Sequence, residues 1–290
     1  MKVDNAIIMG AGMSTRFVPL SFELHKAMVL VNNEILIERQ INQLIEKGIK
    51  DIYIVTGYKS EQFEYLKDKF NVKLISNNEY MIRNNNSSIW SAKDVLCNSY
   101  VCSADNYFSI NPFEVEVPES YYAALYSEGE TNEWCMTEDE NGYVNNVTIG
   151  GRKSWYMMGH TFWSEDFSKK FIDILYKEYN LPGTAGKLWE AIYSEHLDIL
   201  KMKIKKYNTN DIYEFDTLDD LRQFDKTYID NSRSMILKNI SFELGVSEKD
   251  MCDFKPLIDS DKKLVGFSLL IKNVSHTYDY INKTLDKGSK

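Results

Sequence analysis

Residues 6–17 read Ala6-Ile7-Ile8-Met9-Gly10-Ala11-Gly12-Met13-Ser14-Thr15-Arg16-Phe17. Four apolar residues followed at once by two glycines within three positions describe a strand buried on both faces of a parallel sheet and emptying into a loop. Outward from this stretch the period alternates. Ile37, Ile41, Leu44 and Ile45 stand at helical spacing within 34–47, which stops at Gly48, and 51–55 reads as a strand ending near Gly57. A helix carrying Phe63, Leu66 and Phe70 follows, then a strand over 72–75, an Asn-rich loop, a helix from Ser87 or Ser88 to Leu96, and a strand over 100–103. This order predicts an α/β fold with a mostly parallel central sheet flanked by helices. From Tyr121 the pattern shortens to β-like segments over 122–126, 134–137, 143–149 and 156–163, punctuated by Asn141-Gly142 and Gly150-Gly151, which predict a mixed, β-rich region. Helices are expected over 165–179, 185–197 and 217–225, and a strand over 201–207.

The 290 residues are 43% apolar and 13% aromatic, which excludes disordered and low-complexity classes. Against 34 basic residues stand 43 acidic ones, so the chain lacks the basic surplus needed to grip a phosphate backbone, and nucleic acid is not expected as a partner. Cys97, Cys102, Cys135 and Cys252 include no C-x-x-C pair and fit no disulfide framework, and His160, His196 and His276 lack metal spacing. No apolar run approaches the length of a membrane span and the first residues do not resemble a signal peptide. A cytoplasmic protein without membrane partners is expected.

Glycines directly after a buried strand let a ligand approach the backbone, whose free N–H groups bind phosphate oxygens, and Arg16 adds charge-assisted donors. The segment therefore reads as a triphosphate loop. It is not a dinucleotide fingerprint, which needs glycine where Thr15 stands and an acidic residue after the second strand, where Thr56-Gly57 lies. Nor is it a Walker loop or a nucleophile elbow, since Gly-Lys-Ser/Thr is absent and Arg16 occupies the elbow's second glycine position.

Gly10-Ala11-Gly12-Met13-Ser14-Thr15-Arg16-Phe17, with Pro19-Leu20 and Lys26, resembles the signature of the nucleotidyltransferases that make nucleotide-sugars and CDP-alcohols, and within them the bacterial CTP:phosphocholine cytidylyltransferases. The likeness continues through Ile37-Glu38-Arg39-Gln40-Ile41, Val55-Thr56-Gly57-Tyr58, Asn84-Asn85 with Ser88, Ser103-Ala104-Asp105-Asn106-Tyr107, Thr131-Asn132-Glu133-Trp134 and Ile212-Tyr213-Glu214-Phe215-Asp216, covering residues 3–228. Two departures concern loop geometry: His25 stands where the family usually has proline, and Ser14 where it often has glycine.

The resemblance implies a Rossmann-like nucleotidyltransferase domain over 1–228, whose mixed β-rich region binds the acceptor, followed by a small extension over 229–290. It implies a cytidylyltransferase that uses Mg2+ to transfer CMP from CTP to phosphocholine, giving CDP-choline and pyrophosphate. The same chemistry would serve phosphoethanolamine, 2-aminoethylphosphonate, another small amino-phosphate or a sugar 1-phosphate, and a non-catalytic nucleotide-sensing or interaction relative would keep the same fold. Lys26, Arg16 and Asp105 are the implied catalytic residues. Gly10, Ala11, Gly12, Met13, Ser14, Thr15, Arg16, Gly57, Tyr58, Asn84 and Ser88 are implied for the nucleotide, although an Asn-rich loop is equally plain turn chemistry. Asp105, at the carboxyl end of a predicted strand, and Asp216 are the implied Mg2+ ligands, with a helix cap or first-turn acid as the other reading of Asp216. Trp134 and Trp189, with Glu133, Glu190 and Tyr213, resemble an aromatic box for a quaternary ammonium, against ordinary packing for each tryptophan. A solvated surface lysine is the alternative for Lys26.

Residues 229–290 faintly resemble the opening of a choline kinase-like domain found fused in some bacteria, in Ile236-Leu237-Lys238-Asn239-Ile240 and Ser247-Glu248-Lys249-Asp250, but they hold no H-x-D loop or D-F-G. A helix over 234–244, a β-like 263–271 and a disordered 287–290 are expected. Such an extension would pack on the domain or mediate a homo-oligomer, and chemistry would not require it.

Overall fold

The computed structural model describes residues 1–261 and 263–286, so the expected disorder at 287–290 lies outside the described residues. Along the chain run β1 (Asn5–Gly10), α1 (Leu20–Glu23), β2 (Leu30–Val31), β3 (Glu34–Ile35), α2 (Leu36–Glu46), β4 (Ile52–Thr56), α3 (Tyr65–Phe70), β5 (Lys73–Ser76), α4 (Asn86–Ser91), β6 (Ser99–Ser103) and β7 (Asn106–Phe108). Then come β8 (Tyr121–Glu138), β9 (Val144–Trp163), α5 (Glu165–Glu178), α6 (Trp189–Glu195), β10 (Lys203–Lys206), β11 (Ile212–Glu214), α7 (Leu218–Phe224), α8 (Thr227–Asp230), α9 (Met235–Leu244), β12 (Met251–Ile258), β13 (Leu264–Ile271), β14 (Val274–Asp279) and β15 (Thr284–Asp286). No helix among the described residues is long and apolar enough to cross a membrane. Two compact units result: Met1–Gly12 with Leu36–Glu214, and Met13–Ile35 with the described residues of Phe215–Lys290. The boundary expected at 228 falls inside the second unit.

In the first unit a seven-stranded sheet has the order β10-β8-β9-β6-β1-β4-β5. β6, β1, β4 and β5 are parallel, as the alternating period predicts, and β9 joins β6 antiparallel. The central strand is enclosed on both faces: Ile8 sits in register between Ile54 and Cys102, and all three are fully buried. Burying each isoleucine side chain contributes about 1.5–3 kcal/mol. From β1 the chain steps outward to β4 and β5, then returns to lay β6 on the other side of β1. The strand order therefore reverses between β1 and β6, the place where open α/β sheets bind ligands beyond their carboxyl ends.

The four short segments expected after Tyr121 are two long strands, β8 and β9, paired over most of their length with several register shifts. Gly150-Gly151 is no turn. A Cβ on Gly151 would meet Cys135 Sγ at 2.9 Å, so this glycine permits close approach of the opposite strand within a bulged region. The helix expected from 185 starts instead at Trp189, and its first amide donates to Asn85 Oδ1 at 2.7 Å, since the preceding Leu188 has no capping atom. Trp163, Phe167, Phe171, Trp189 and Tyr193 fill the core beneath this mixed part of the sheet.

The second unit contains an antiparallel sheet in the order β12-β13-β14-β15 and a small hairpin of β2 and β3. Both Asn32-Asn33 and Lys272-Asn273 are left-handed at both residues, the two-residue turn whose twist matches a hairpin. Ser234 caps α9 by accepting from Leu237 N at 3.2 Å, and Gly245 ends it with φ 63. Buried Arg222 joins α7 to the extension by donating to the carbonyls of Tyr228, Glu248 and Met251.

Candidate active site

The carboxyl edge of the first unit's sheet gathers the glycines and one acid. Tyr58 N donates to Ala11 O at 3.0 Å, joining the loop after β4 to the loop after β1. Gly57 must be glycine there, because a Cβ would stand 2.8 Å from both Ala11 O and the Tyr80 ring. Across the strand-order reversal, Ala104 N donates to Met9 O at 3.2 Å, so the two-residue turn Ala104-Asp105 stands beside the end of β1 with Asp105 half-buried. Asn84 and Ser88 are engaged in bonds that hold their loop. Asn84 N donates to Ala185 O at 2.8 Å, and the Ser88 hydroxyl accepts from buried Asn77 Nδ2 at 3.2 Å. The first ties the loop to the segment before α6, and the second ties the start of the loop to α4.

In the second unit the signature residues form a charge cluster. Ser14 is left-handed, with φ 50 and ψ 46, a conformation that glycine adopts without steric cost. It leads into the short turn Thr15–Phe17, which leaves Arg16 largely in solvent. Lys26 is not a surface lysine: its side chain is 5% exposed, and its ammonium lies 3.4 Å from Asp216 Oδ1 and over the Phe17 ring. The other Asp216 oxygen takes Arg16 Nη1 at 3.0 Å. A buried ammonium requires such a counter-charge. His25 does proline's work by other means: its φ of −70 is the value proline would impose, and its Nδ1 accepts from Ala27 N at 3.1 Å, capping the turn that carries Lys26. Asp216 is not a helix cap, because Thr217 caps α7 in a reciprocal pair with Asp220.

Of the residues expected around an acceptor, all in the first unit, Trp134 and Trp189 share one core cluster and Glu190 is bonded to Tyr122 within it, while Tyr213 stands beside Tyr107. Trp134, on β8 opposite Ile149, is half-buried at the edge of the core cluster, and exposed Glu133 precedes it. Tyr156 pairs with Cys135, next to Trp134, and burial, then the Glu133 charge, raises its phenol above the ordinary range. Trp189 is 1% exposed and stacked on Tyr122 at 5.6 Å, with Trp163 edge-on at 5.1 Å, which makes it a core ring. Its neighbour Glu190 accepts from Asn85 Nδ2 at 3.0 Å and Tyr122 OH at 3.2 Å, while burial pushes its carboxyl above the usual carboxylate range. Tyr213, on β11, faces Tyr107 edge-on at 6.4 Å, and Arg39 lies over the Tyr107 ring. Sequence reasoning passed over Tyr122 and Tyr156, which lie among nineteen tyrosines with nothing in their spacing to single them out.

Comparison with known proteins adds an independent line. A family model described as nucleotidyl transferase matches residues 5–116. The chain is 35% identical to a choline-phosphate cytidylyltransferase of Streptococcus pneumoniae, over 76% of this chain and 96% of that protein. It is 32% identical to a 2-aminoethylphosphonate cytidylyltransferase of Lancefieldella rimae, over 78% and 93%. The solved structure of the CTP:phosphocholine cytidylyltransferase from Streptococcus pneumoniae superposes with a TM-score of 0.74, covering 78% of this chain and 99% of that one.

Proposed function

The chain belongs to the nucleotidyltransferase family, and from that premise we propose that it is a cytoplasmic cytidylyltransferase that uses Mg2+ to transfer CMP from CTP to phosphocholine, releasing pyrophosphate. The observation that carries the reading is the sharing of the Asp216 carboxylate by buried Lys26 and exposed Arg16, inside the signature segment of such relatives.

An oxygen of the acceptor phosphate attacks the α-phosphorus of CTP in line; the new P–O bond forms as the bond to the β-phosphate oxygen breaks, and its electrons leave with pyrophosphate. No covalent nucleophile is needed, so positioning and charge neutralisation carry the catalysis. Arg16 binds the outgoing β- and γ-phosphates and Lys26 bridges the α-phosphate and the acceptor. As these cations turn to phosphate, the Asp216 carboxylate is released from them. Asp105 in the first unit and Asp216 in the second each carry hard carboxylate oxygens of the kind that would hold Mg2+. When bound, that ion offsets charge on the triphosphate. Backbone groups of Gly10, Ala11 and Gly12, with Gly57 and Tyr58, hold the nucleoside, and Asn84 and Ser88 shape the loop beside it. Trp134, Glu133 and Tyr213 receive the ammonium head group, while Trp189 and Glu190 support that region from the core.

A primary-amine acceptor is the second reading, favoured by the likeness to a relative that acts on 2-aminoethylphosphonate. Pyrophosphate release from CTP, UTP, GTP and ATP, each crossed with phosphocholine, phosphoethanolamine, 2-aminoethylphosphonate and glucose 1-phosphate, separates the readings. CTP with phosphocholine and Mg2+ is expected to be the best pair and chelation to abolish turnover. Preference for a primary amine moves the acceptor assignment, and turnover by no pair removes the enzymatic reading.

A further inference from the structure

We propose that the C-terminal extension positions the phosphate-binding segment, a role that rests on Arg16 and Lys26 holding phosphate as above. The extension is not a separate module: Met13–Ile35 and the described residues from Phe215 onward form one compact unit. The segment is held on both sides of Lys26. On one side Phe22 stacks on Tyr280 at 3.9 Å with the rings 18° from parallel, and packs on Phe267. Next to it, Glu23 Oε1 accepts from Met235 N at 2.7 Å and Ile236 N at 3.3 Å, placing a carboxylate on the unpaired amides that open α9. On the other side, Leu30 O accepts from Tyr228 OH at 2.7 Å and from Arg233 Nη1 at 3.0 Å, and Asn32 N donates to Asp225 Oδ2 at 3.1 Å. Rings, a helix terminus and directional hydrogen bonds thus bracket the short turn that presents Lys26.

The match to the Streptococcus pneumoniae relative spans nearly all of that protein with about three quarters of this chain. Rigidity of a binding loop lowers the ordering cost of binding, so loosening these contacts weakens the triphosphate before it touches the acceptor.

Tyr280 lies at the surface and can be changed without opening the core. Tyr280→Ala is expected to raise the CTP KM about fivefold or more and the phosphocholine KM by clearly less, because Arg16 and Lys26 both hold the triphosphate whereas Lys26 alone reaches the acceptor. Tyr280→Phe, which keeps the ring, should restore wild-type values. Arg233→Met, removing the donor to Leu30 O, should shift the CTP KM in the same direction, and Phe242→Ala, on the exposed face of α9, should change nothing. Amide exchange supplies a readout that does not need turnover: Tyr280→Ala should exchange faster over residues 15–28 while β1 and β4 keep their protection. A folded Tyr280→Ala protein with unchanged CTP KM and unchanged exchange over 15–28 overturns the proposal, as does an equal rise in both KM values. If the wild type turns over no substrate pair, the enzymatic reading falls, and exchange alone decides whether the extension holds the segment.

Discussion

Lys26 and Arg16 approach opposite oxygens of one carboxylate, that of Asp216, at 3.4 and 3.0 Å. The carboxylate is a third exposed, yet the lysine it serves is almost fully enclosed. Asp216→Ala should therefore reduce stability as well as turnover, by about 1–3 kcal/mol, below the cost of breaking a fully buried pair because solvent reaches the aspartate. Asp216→Asn, which keeps the shape, should lose less stability and as much turnover. Urea midpoints beside pyrophosphate-release rates check this. An Asp216→Ala protein as stable as the wild type would show that Lys26 draws its counter-charge from elsewhere.

Ser14 holds a left-handed backbone that costs an L-residue about 1–2 kcal/mol. Glycine relieves that strain but gains freedom in the unfolded chain. Ser14→Gly should accordingly be neutral to mildly stabilising with its CTP kinetics intact, and Ser14→Val should lower both Tm and activity. Equal Tm values for the two would rule out backbone conformation as the constraint at this position.

His160 is buried among the rings of Tyr100, Phe108, Phe113 and Tyr121, with its Nε2 2.8 Å from Tyr121 OH. Burial, aided by the Lys205 charge, lowers its pKa from 6.5 to about 3. Between those values the unfolded chain carries a proton that the folded one refuses. Its contribution is complete above about pH 6.5 and falls with pH until about 3, with a loss of about 2 kcal/mol between pH 7 and 5. Stability curves at several pH values for the wild type and His160→Gln should diverge in slope over that window. Parallel curves would mean that the folded imidazole titrates normally.

A trimethylammonium donates no hydrogen bond, so its recognition falls to ring faces and a nearby carboxylate, each ring contributing about 0.5–2 kcal/mol. Trp134→Ala should raise the phosphocholine KM roughly tenfold and leave that for CTP nearly unchanged. Equal weakening of both substrates would identify the ring as packing.

Much of the first unit was legible because its signals are local. The apolar run of β1 and the alternation behind it predicted the parallel strands, and the Gly57 requirement follows from a close approach that glycine alone permits. Continuity of β8 and β9 was hidden, since Gly150-Gly151 reads alike as a turn or a bulge and only the position of Cys135 decides. In the extension the sequence signals β13 but not β12, β14 or β15: β12 contains Pro256, and the outer strands alternate weakly. Trp189 could have been wall or core, because one sequence carries no record of which face of α6 is enclosed. Least visible was the pairing of Met13–Ile35 with residues beyond Phe215, which leaves no period at all.

That pairing also fixes an order of events on the ribosome. Glu23 and Met235 are 212 residues apart, so at about 5–20 residues per second the segment bearing Arg16 and Lys26 emerges roughly 10–40 s before the helix that receives it. The parallel sheet has its own strands in hand much earlier. A nascent chain would therefore acquire a folded α/β layer while its charged segment still hangs loose, and that segment would settle only once the residues from Phe215 onward have emerged.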